Sequence, residues 1–198
     1  MKIFSKEFNF TKNWFKTREI KITKHINPNK RIDVLEIGCY EGQSTCFFLE
    51  KLLKNKDSKL HCVDPYFISE VDSSIEQRFH ENIKLTSHGK NPPVKFFRQT
   101  SDKYFKENNW KFDLIYVDGH NAPNQIERDL TNSWVSLKKN GILWANHRGQ
   151  LEINNKRLKE MEDYAVFTRG VINTFLRRRK HESKVILKRN QLVVQKTR

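Results

Sequence analysis

Residues 112–119 read FDLIYVDG. An apolar run that ends on Asp-Gly is the signature of a strand buried on both faces, with its carboxyl end at a turn. Strands of that kind belong to parallel sheets, where crossover helices cover the two faces. Downstream, the spacing predicts a helix over Gln125–Leu137 and a further strand in ILWAN (142–146). Upstream, VKFFRQ (94–99) reads as a strand with a short helix to about Glu107, and KLHCVD (59–64) as a strand followed by a helix over Ser69–Thr86. DVLEIG (33–38) precedes a helix over Ser44–Lys56, with Phe48, Leu49, Leu52 and Leu53 at helical spacing. Strand and helix alternate through five units, which predicts a Rossmann-like, doubly wound α/β sheet.

The two ends read differently. After a helix near 166–179, KVILKR and QLVVQK meet at Arg189-Asn190, the pattern of an antiparallel hairpin. Residues 1–30 are expected to form one or two short helices anchored by Phe8, Phe10, Trp14 and Phe15, with Pro28 closing the segment. The expected organisation is one domain over 1–198. It comprises an N-terminal helical extension (1–30), a cofactor-binding core (31–150) and a closing helix with a β-hairpin (151–198).

Composition narrows the class. A chain of 198 residues, 36% hydrophobic and 31% charged, has the make-up of a globular protein with a real core. No apolar run approaches a membrane span, and MKIFSKEFNF lacks the apolar centre of a signal peptide, so a cytoplasmic location is expected. Cys39, Cys46 and Cys62 form no CxxC and read as reduced thiols. The net charge of +15 is uneven: residues 1–31 carry nine Lys/Arg against two Glu, residues 151–198 thirteen against five, and the middle sixteen of each. Two readings stand: an electrostatic surface for phosphates or an anionic partner, or a compositional enrichment in Lys that accompanies 18 Asn and only three Ala. RRRK at 177–180 suits the negative end of a helix.

In doubly wound folds ligands bind beyond the carboxyl ends of the strands. The first such end carries Glu36-Ile37-Gly38-Cys39-Tyr40-Glu41-Gly42. A dinucleotide fingerprint would place Gly at position 40, where the backbone approaches a pyrophosphate. Tyr40 suits a nucleoside ligand instead, although Gly also serves such turns for structural reasons alone. Asp64 ends the second strand and can accept from both hydroxyls of a ribose, or cap the turn before Pro65. Thr100, Ser101 and Asp102 follow the third strand, facing an adenine edge or capping the next helix. Asp118 closes the fourth strand.

These residues resemble the class I S-adenosylmethionine-dependent methyltransferases, and among them the small methyltransferase 24-like group. LEIGCYEGQSTCFFLEKLL is similar to that group's first motif and CVDPY to its second. DLIYVDGHNAPNQIERDL with WVSLKKNGIL resembles its fourth- and fifth-strand block, and RGVINTFLRRRKHESKVILKRNQLVVQK its closing helix and hairpin. The resemblance runs from about Trp14 to Lys196. It implies a seven-stranded sheet, mostly parallel with an antiparallel C-terminal hairpin, S-adenosylmethionine as cofactor, and methyl transfer to a substrate oxygen. It further implies that Glu36, Gly38, Tyr40 and Gly42 form the cofactor loop, that Asp64 binds the ribose, that Thr100–Asp102 lie beside the adenine, and that Asp118 stands at the transfer site.

One strand end departs from the pattern. Relatives usually show two adjacent Asp in a GGILIFDDY stretch, able with a third Asp to hold a divalent metal. This chain has Asn146, His147 and Arg148 there, and His120 directly after Gly119. Losing two carboxylates disfavours Mg²⁺. Three outcomes are open: metal-free transfer with His147 as general base, Asp118 orienting it or the acceptor, and Asn146 beside them; Zn²⁺ or Mn²⁺ held by Asp118, His147 and His120; or a catalytically silent subunit that keeps only the fold. The expected acceptor is a small-molecule or sugar hydroxyl, and Arg148 with the basic ends favours an anionic one. An RNA or nucleotide methyltransferase is the further alternative, for which FTKNWFKTR is permissive. KRLKEMEDY (156–164) is a candidate lid over the acceptor. The acceptor's identity and the oligomeric state are not legible.

Overall fold

The computed structural model describes residues 7–15, 22–67, 74–146, 158–188 and 191–198, and within 158–167 the backbone alone. Seven strands form one sheet in the order β3-β2-β1-β4-β5-β7-β6. The chain divides into two compact units, residues 1–100 and 101–198.

The first unit holds β1 (Asp33–Ile37), α1 (Gln43–Lys51), β2 (Lys59–Val63), α2 (Ser74–Lys84) and β3 (Val94–Phe97). β1 pairs in parallel with β2, Glu36 opposite Cys62, and β2 in parallel with β3. Val34, Leu35, Leu60 and Cys62 are completely buried, as a strand covered on both faces requires. β3, at the sheet edge, has no fully buried residue and carries Lys95, a charge that blunts edge pairing. α1 stops five residues earlier than its apolar spacing suggests. The Asn55 side chain accepts from the Asp57 N–H at 2.9 Å, and Ser58 N–H bonds to Asn55 O at 3.1 Å, so a side-chain turn competes with the helix. Of the expected Ser69–Thr86 helix, 69–73 lie outside the described residues.

The N-terminal expectation of helices is corrected. Residues 7–15 are non-helical, 16–21 lie outside the described residues, and Ile22–Lys24 forms a single 3₁₀ turn. Phe15 and Ile22 are buried, but the segment is held by polar bonds to the unit's own loop, described below.

The second unit holds α3 (Ser101–Glu107), β4 (Phe112–Val117), α4 (Pro123–Ser136), β5 (Leu137–Asn146), α5 (Leu158–Arg178), β6 (Ser183–Lys188) and β7 (Gln191–Lys196). β4 and β5 are parallel, and β7 is antiparallel to both β5 and β6, which bears out the C-terminal hairpin. Its turn at 189–190 lies outside the described residues. α4 packs on α5 through Trp134 and Phe175, ring centroids 5.6 Å apart.

β5 is longer than ILWAN. It starts at Leu137, directly at the C-cap of α4, and the register slips between Phe112↔Leu137 and Leu114↔Ile142. The extra residues bulge out through Asn140 at φ 64°. A Cβ on Gly141 would lie 2.9 Å from Lys138 O, so only glycine fits the close approach of the bulge.

Candidate functional site

At the carboxyl end of β1 the chain turns through Gly38, Tyr40 and Gly42 at φ 83°, 47° and 81°. Three left-handed residues in five make a loop that folds back on itself before α1. Tyr40 is the strained member, because a side chain disfavours that region. The Gly42 position is closed twice over: its φ suits glycine, and an added Cβ would meet Phe79 Cδ2 at 3.0 Å.

Two carboxylates hold the loop. Asp64 Oδ2 accepts from the backbone N–H of Cys39 (2.8 Å) and of Tyr40 (3.1 Å), and its Oδ1 from Tyr66 N–H (2.8 Å). The Tyr66 hydroxyl donates to Tyr40 O at 2.7 Å, and burial pushes that phenol's pKa up, so it remains a donor. Glu36 lies beneath, fully buried, with Oε1 accepting from Ser44 and Oε2 from Thr45 Oγ1 at 2.6 Å. It braces the start of α1 from below. Glu36, Cys39 and Cys62 place their ligating atoms within 4.8 Å of one another, the one such trio among the described residues. Burial raises the pKa of both thiols, which keeps them protonated and inert. All three cysteines are unbridged and buried, in keeping with the reduced reading.

A third carboxylate, Glu41, escaped the sequence reading. It is 1% exposed and sits between Tyr40 and Gly42. Its oxygens accept from Thr11 N–H (2.6 Å), Thr11 Oγ1 (2.8 Å) and Arg78 Nε (2.6 Å). The strap 7–15 is bonded further along its length. Asn9 exchanges backbone bonds with the Asn82 side chain, which also donates to Glu41 O. Phe15 N–H donates to Gln43 Oε1, and Gln43 donates to Asn13 Oδ1. Trp14 is left 47% exposed with its ring 4.8 Å from that of Tyr40. The strap therefore belongs to the loop, not to a separate helical extension.

In the second unit Asp118 follows β4. Its Oδ2 accepts from the Tyr116 hydroxyl at 3.0 Å and from Asn146 Nδ2 at 3.1 Å. Asn146 is buried at the end of β5 and turns its N–H group, not its carbonyl, to the carboxylate. The two donors hold the carboxylate in one orientation. This set suits an oriented carboxylate better than a cation site, which needs a second oxygen acceptor. His120 is exposed, and its Nδ1 accepts from Ala122 N–H at 3.1 Å. His147 and Arg148 lie outside the described residues, as do 156–157 and the side chains of the lid candidate.

Thr100 is half-buried after β3. Ser101 is buried, its hydroxyl donating to Asp129 Oδ1 at 2.6 Å and accepting from Gln125 Nε2 at 3.1 Å. Asp102 takes Arg128 Nε at 3.1 and 3.2 Å. Both side chains are thus engaged with α4. Burial raises the Asp129 pKa, partly offset by the Ser101 and Gln125 bonds.

The comparisons with known proteins agree with this geometry. A family profile described as "Methyltransferase domain" matches residues 35–146, from Leu35 within β1 to Asn146. None of the curated proteins matches the chain. Among solved structures, a Staphylococcus aureus protein provisionally described as a caffeoyl-CoA O-methyltransferase is similar at 17% identity and TM-score 0.65, over 89% of this chain and 81% of its own. A Clostridium thermocellum protein provisionally described as an rRNA methylase is similar at 13% identity and TM-score 0.60, over 89% and 92%. The SAH-bound Podospora anserina methyltransferase is similar at 18% identity and TM-score 0.60, over 84% and 71%. At these identities the likeness shows the fold, and the seven-stranded sheet with its antiparallel C-terminal hairpin is the one the resemblance implies.

Proposed function

The chain belongs to the methyltransferase-domain family as an S-adenosylmethionine-dependent enzyme, and on that premise we propose that it methylates the hydroxyl oxygen of a small molecule or sugar without a catalytic metal. When bound, S-adenosylmethionine supplies an electrophilic methyl on a sulfonium. The residues of the β1 loop fit its nucleoside end. Asp64 already spends three acceptor positions on backbone N–H groups. A carboxylate has about four such positions, so one ribose hydroxyl can be added directly, and a second needs one loop N–H to let go. Tyr40, at positive φ, is the residue whose N–H bond is longest and first to yield. Glu36 acts as a brace, since both its oxygens are occupied by Ser44 and Thr45 at the start of α1. Thr100 and the backbone of 100–102 are offered to the adenine, with Ser101 and Asp102 held in place by α4.

The observation that carries the chemistry is the Asp118 carboxylate, fixed by Tyr116 and Asn146. A carboxylate held by two donors is a good orienting group. An imidazole is the natural base near neutral pH, and that role goes to His147, next along the chain. With the bound cofactor supplying the methyl group, His147 would take the proton of the acceptor hydroxyl and pass it on to water. Asp118 stabilises the imidazolium, and Arg148 grips an acidic group on the acceptor.

Calorimetric titration with S-adenosylmethionine, with and without EDTA, tests the first half. Micromolar binding indifferent to EDTA is expected, with Asp64→Ala weakening it at least ten-fold. Methyl incorporation from labelled cofactor into a panel of phenols, catechols and sugars tests the second. His147→Gln should abolish the acid limb of the rate profile and leave cofactor affinity unchanged. Absence of cofactor binding, or a strict need for added Zn²⁺ or Mn²⁺, would overturn the reading.

A further inference from the structure

The amino ends of β4 and β5, opposite the chemistry, carry a second feature. Lys111 precedes β4 and donates from Nζ to Val135 O at 3.0 Å. Lys196, ending β7, donates to Trp134 O at 2.9 Å and Leu137 O at 3.0 Å, and stands 5.7 Å over the Trp134 ring. Thr197 N–H bonds to Glu182 O at 2.9 Å, which brings Arg198 to the same corner as Arg179 and Lys180. The acidic residue there, Glu182, is consumed internally by Arg179 (3.0 Å) and by the Trp134 indole (3.2 Å). Burial, with repulsion from Lys111 and Arg179, lowers the Lys196 pKa against the pull of Glu182. Lys111, Arg179 and Lys196 thus gather around Glu182, with Lys180 and Arg198 next to them along the chain. Beside them Trp110 is 43% exposed and Val135 59% exposed.

We propose that this corner, formed by Trp110, Lys111, Arg179, Lys180, Lys196 and Arg198, is a docking surface for single-stranded RNA. The combination of cations with an exposed aromatic is what an unpaired strand requires: phosphates for the charges and a base to stack on the ring. Lys111 and Lys196 are pinned to backbone carbonyls, so their charges hold fixed positions. A lipid leaflet, whose charge is diffuse, gains nothing from such fixation. The surface is separate from methyl transfer. β4 spans six residues at about 3.3 Å each, which sets Lys111 roughly 20 Å from Asp118. RNA held here serves as an anchor and not as the methyl acceptor, so the proposal stands whether or not the acceptor is a sugar or small molecule.

The test is fluorescence anisotropy with a labelled uridine 15-mer at several KCl concentrations, on the full chain. Lys180→Gln/Arg198→Gln removes two exposed cations that cap no carbonyl. It should weaken binding about ten-fold and lower the slope of log affinity against log salt by about 1.4, at roughly 0.7 per phosphate contact. Trp110→Ala should weaken binding about five-fold or more with the slope unchanged. Lys51→Gln/Lys84→Gln, which removes the same charge from exposed positions in the first unit, is the control and should bind like the wild type. Retained S-adenosylmethionine affinity shows that each variant is folded. The proposal is overturned if the wild type does not bind the 15-mer, if the control loses as much as the corner variants, or if phosphatidylserine vesicles outcompete the RNA.

Discussion

Replacing Glu41 by Gln is the sharpest probe of the strap. The carboxylate is 1% exposed and its partner Arg78 14%. It serves three donors, two from Thr11 and one from Arg78. A glutamine keeps the shape but offers one acceptor oxygen, and its NH₂ must face an N–H or O–H. Removing one partner of a buried pair costs roughly 3–5 kcal/mol. Arg78 keeps a bond to Ser74 and is partly solvated, so about 2–3 kcal/mol is expected here. For a chain of this size that lowers Tm by roughly 4–12 °C, and the urea midpoint by about 1 M at a slope of about 2 kcal/mol/M. Because Glu41 lies between Tyr40 and Gly42, S-adenosylmethionine affinity should fall as well, by about ten-fold. Thr11→Val removes one hydroxyl donor to the same carboxylate and costs about 1.5 kcal/mol alone. If both act through one contact, the double variant loses less than the sum. A Glu41→Gln protein within about 0.5 kcal/mol of wild type, or strict additivity with Thr11→Val, would refute the anchoring of the strap on the loop.

Further outcomes follow from single positions. Gly42→Ala meets a φ of 81° and a Phe79 carbon at 3.0 Å, and should destabilise by about 1–3 kcal/mol in urea melts. His61 is buried, and burial, helped by Lys95, lowers its pKa from 6.5 to about 4. The unfolded chain therefore binds the extra proton between these values, so stability rises from pH 4 to 6.5 and is flat above; the full span is at most about 3 kcal/mol, and His61→Leu should flatten it. Asn146→Asp places a second carboxylate about 3 Å from Asp118; it should lower Tm without metal and regain stability on adding Mn²⁺ or Mg²⁺, whereas wild type does not respond.

What was legible follows from how each element is held. β1, β2, β4 and the second half of β5 are covered on both faces, so they print as unbroken apolar runs such as LIYV and ILWA. The first half of β5 prints as LKKNG, a loop by composition, because a bulge exposes it and Gly141 serves a backbone approach that no periodicity reports. Phe8, Phe10, Trp14 and Phe15 suggest a helix, and Phe15 is indeed an anchor, buried against Phe47 and Phe48. The extended path of the strap is set by bonds to Glu41, Gln43 and Asn82, 28 to 73 residues away. Glu41 itself reads as a solvated loop charge, and only its partners reveal a buried one. Asp64 and Asp118 were found by their place at strand ends, yet the sequence does not say that backbone and side-chain donors already surround them.

Charge conservation decides which side of the reaction Asp118 serves. Methyl transfer from a sulfonium destroys a positive charge, so a carboxylate acting on the cofactor side stabilises the ground state more than the transition state and slows the step. In the proposed mechanism a positive charge would grow on the acceptor side as the hydroxyl proton moves onto His147, and a fixed carboxylate would lower that barrier. The donors on Asp118 support the second role, because Tyr116 and Asn146 hold it aimed before any proton arrives. A pair of aspartates would need a cation to keep both charged, and an Asn in that place removes the need. Asn146 is therefore read as the residue that lets one carboxylate do the work without metal. Asn146→Ala should then lower kcat with little change in cofactor affinity; a fall confined to affinity would place Asp118 on the cofactor side.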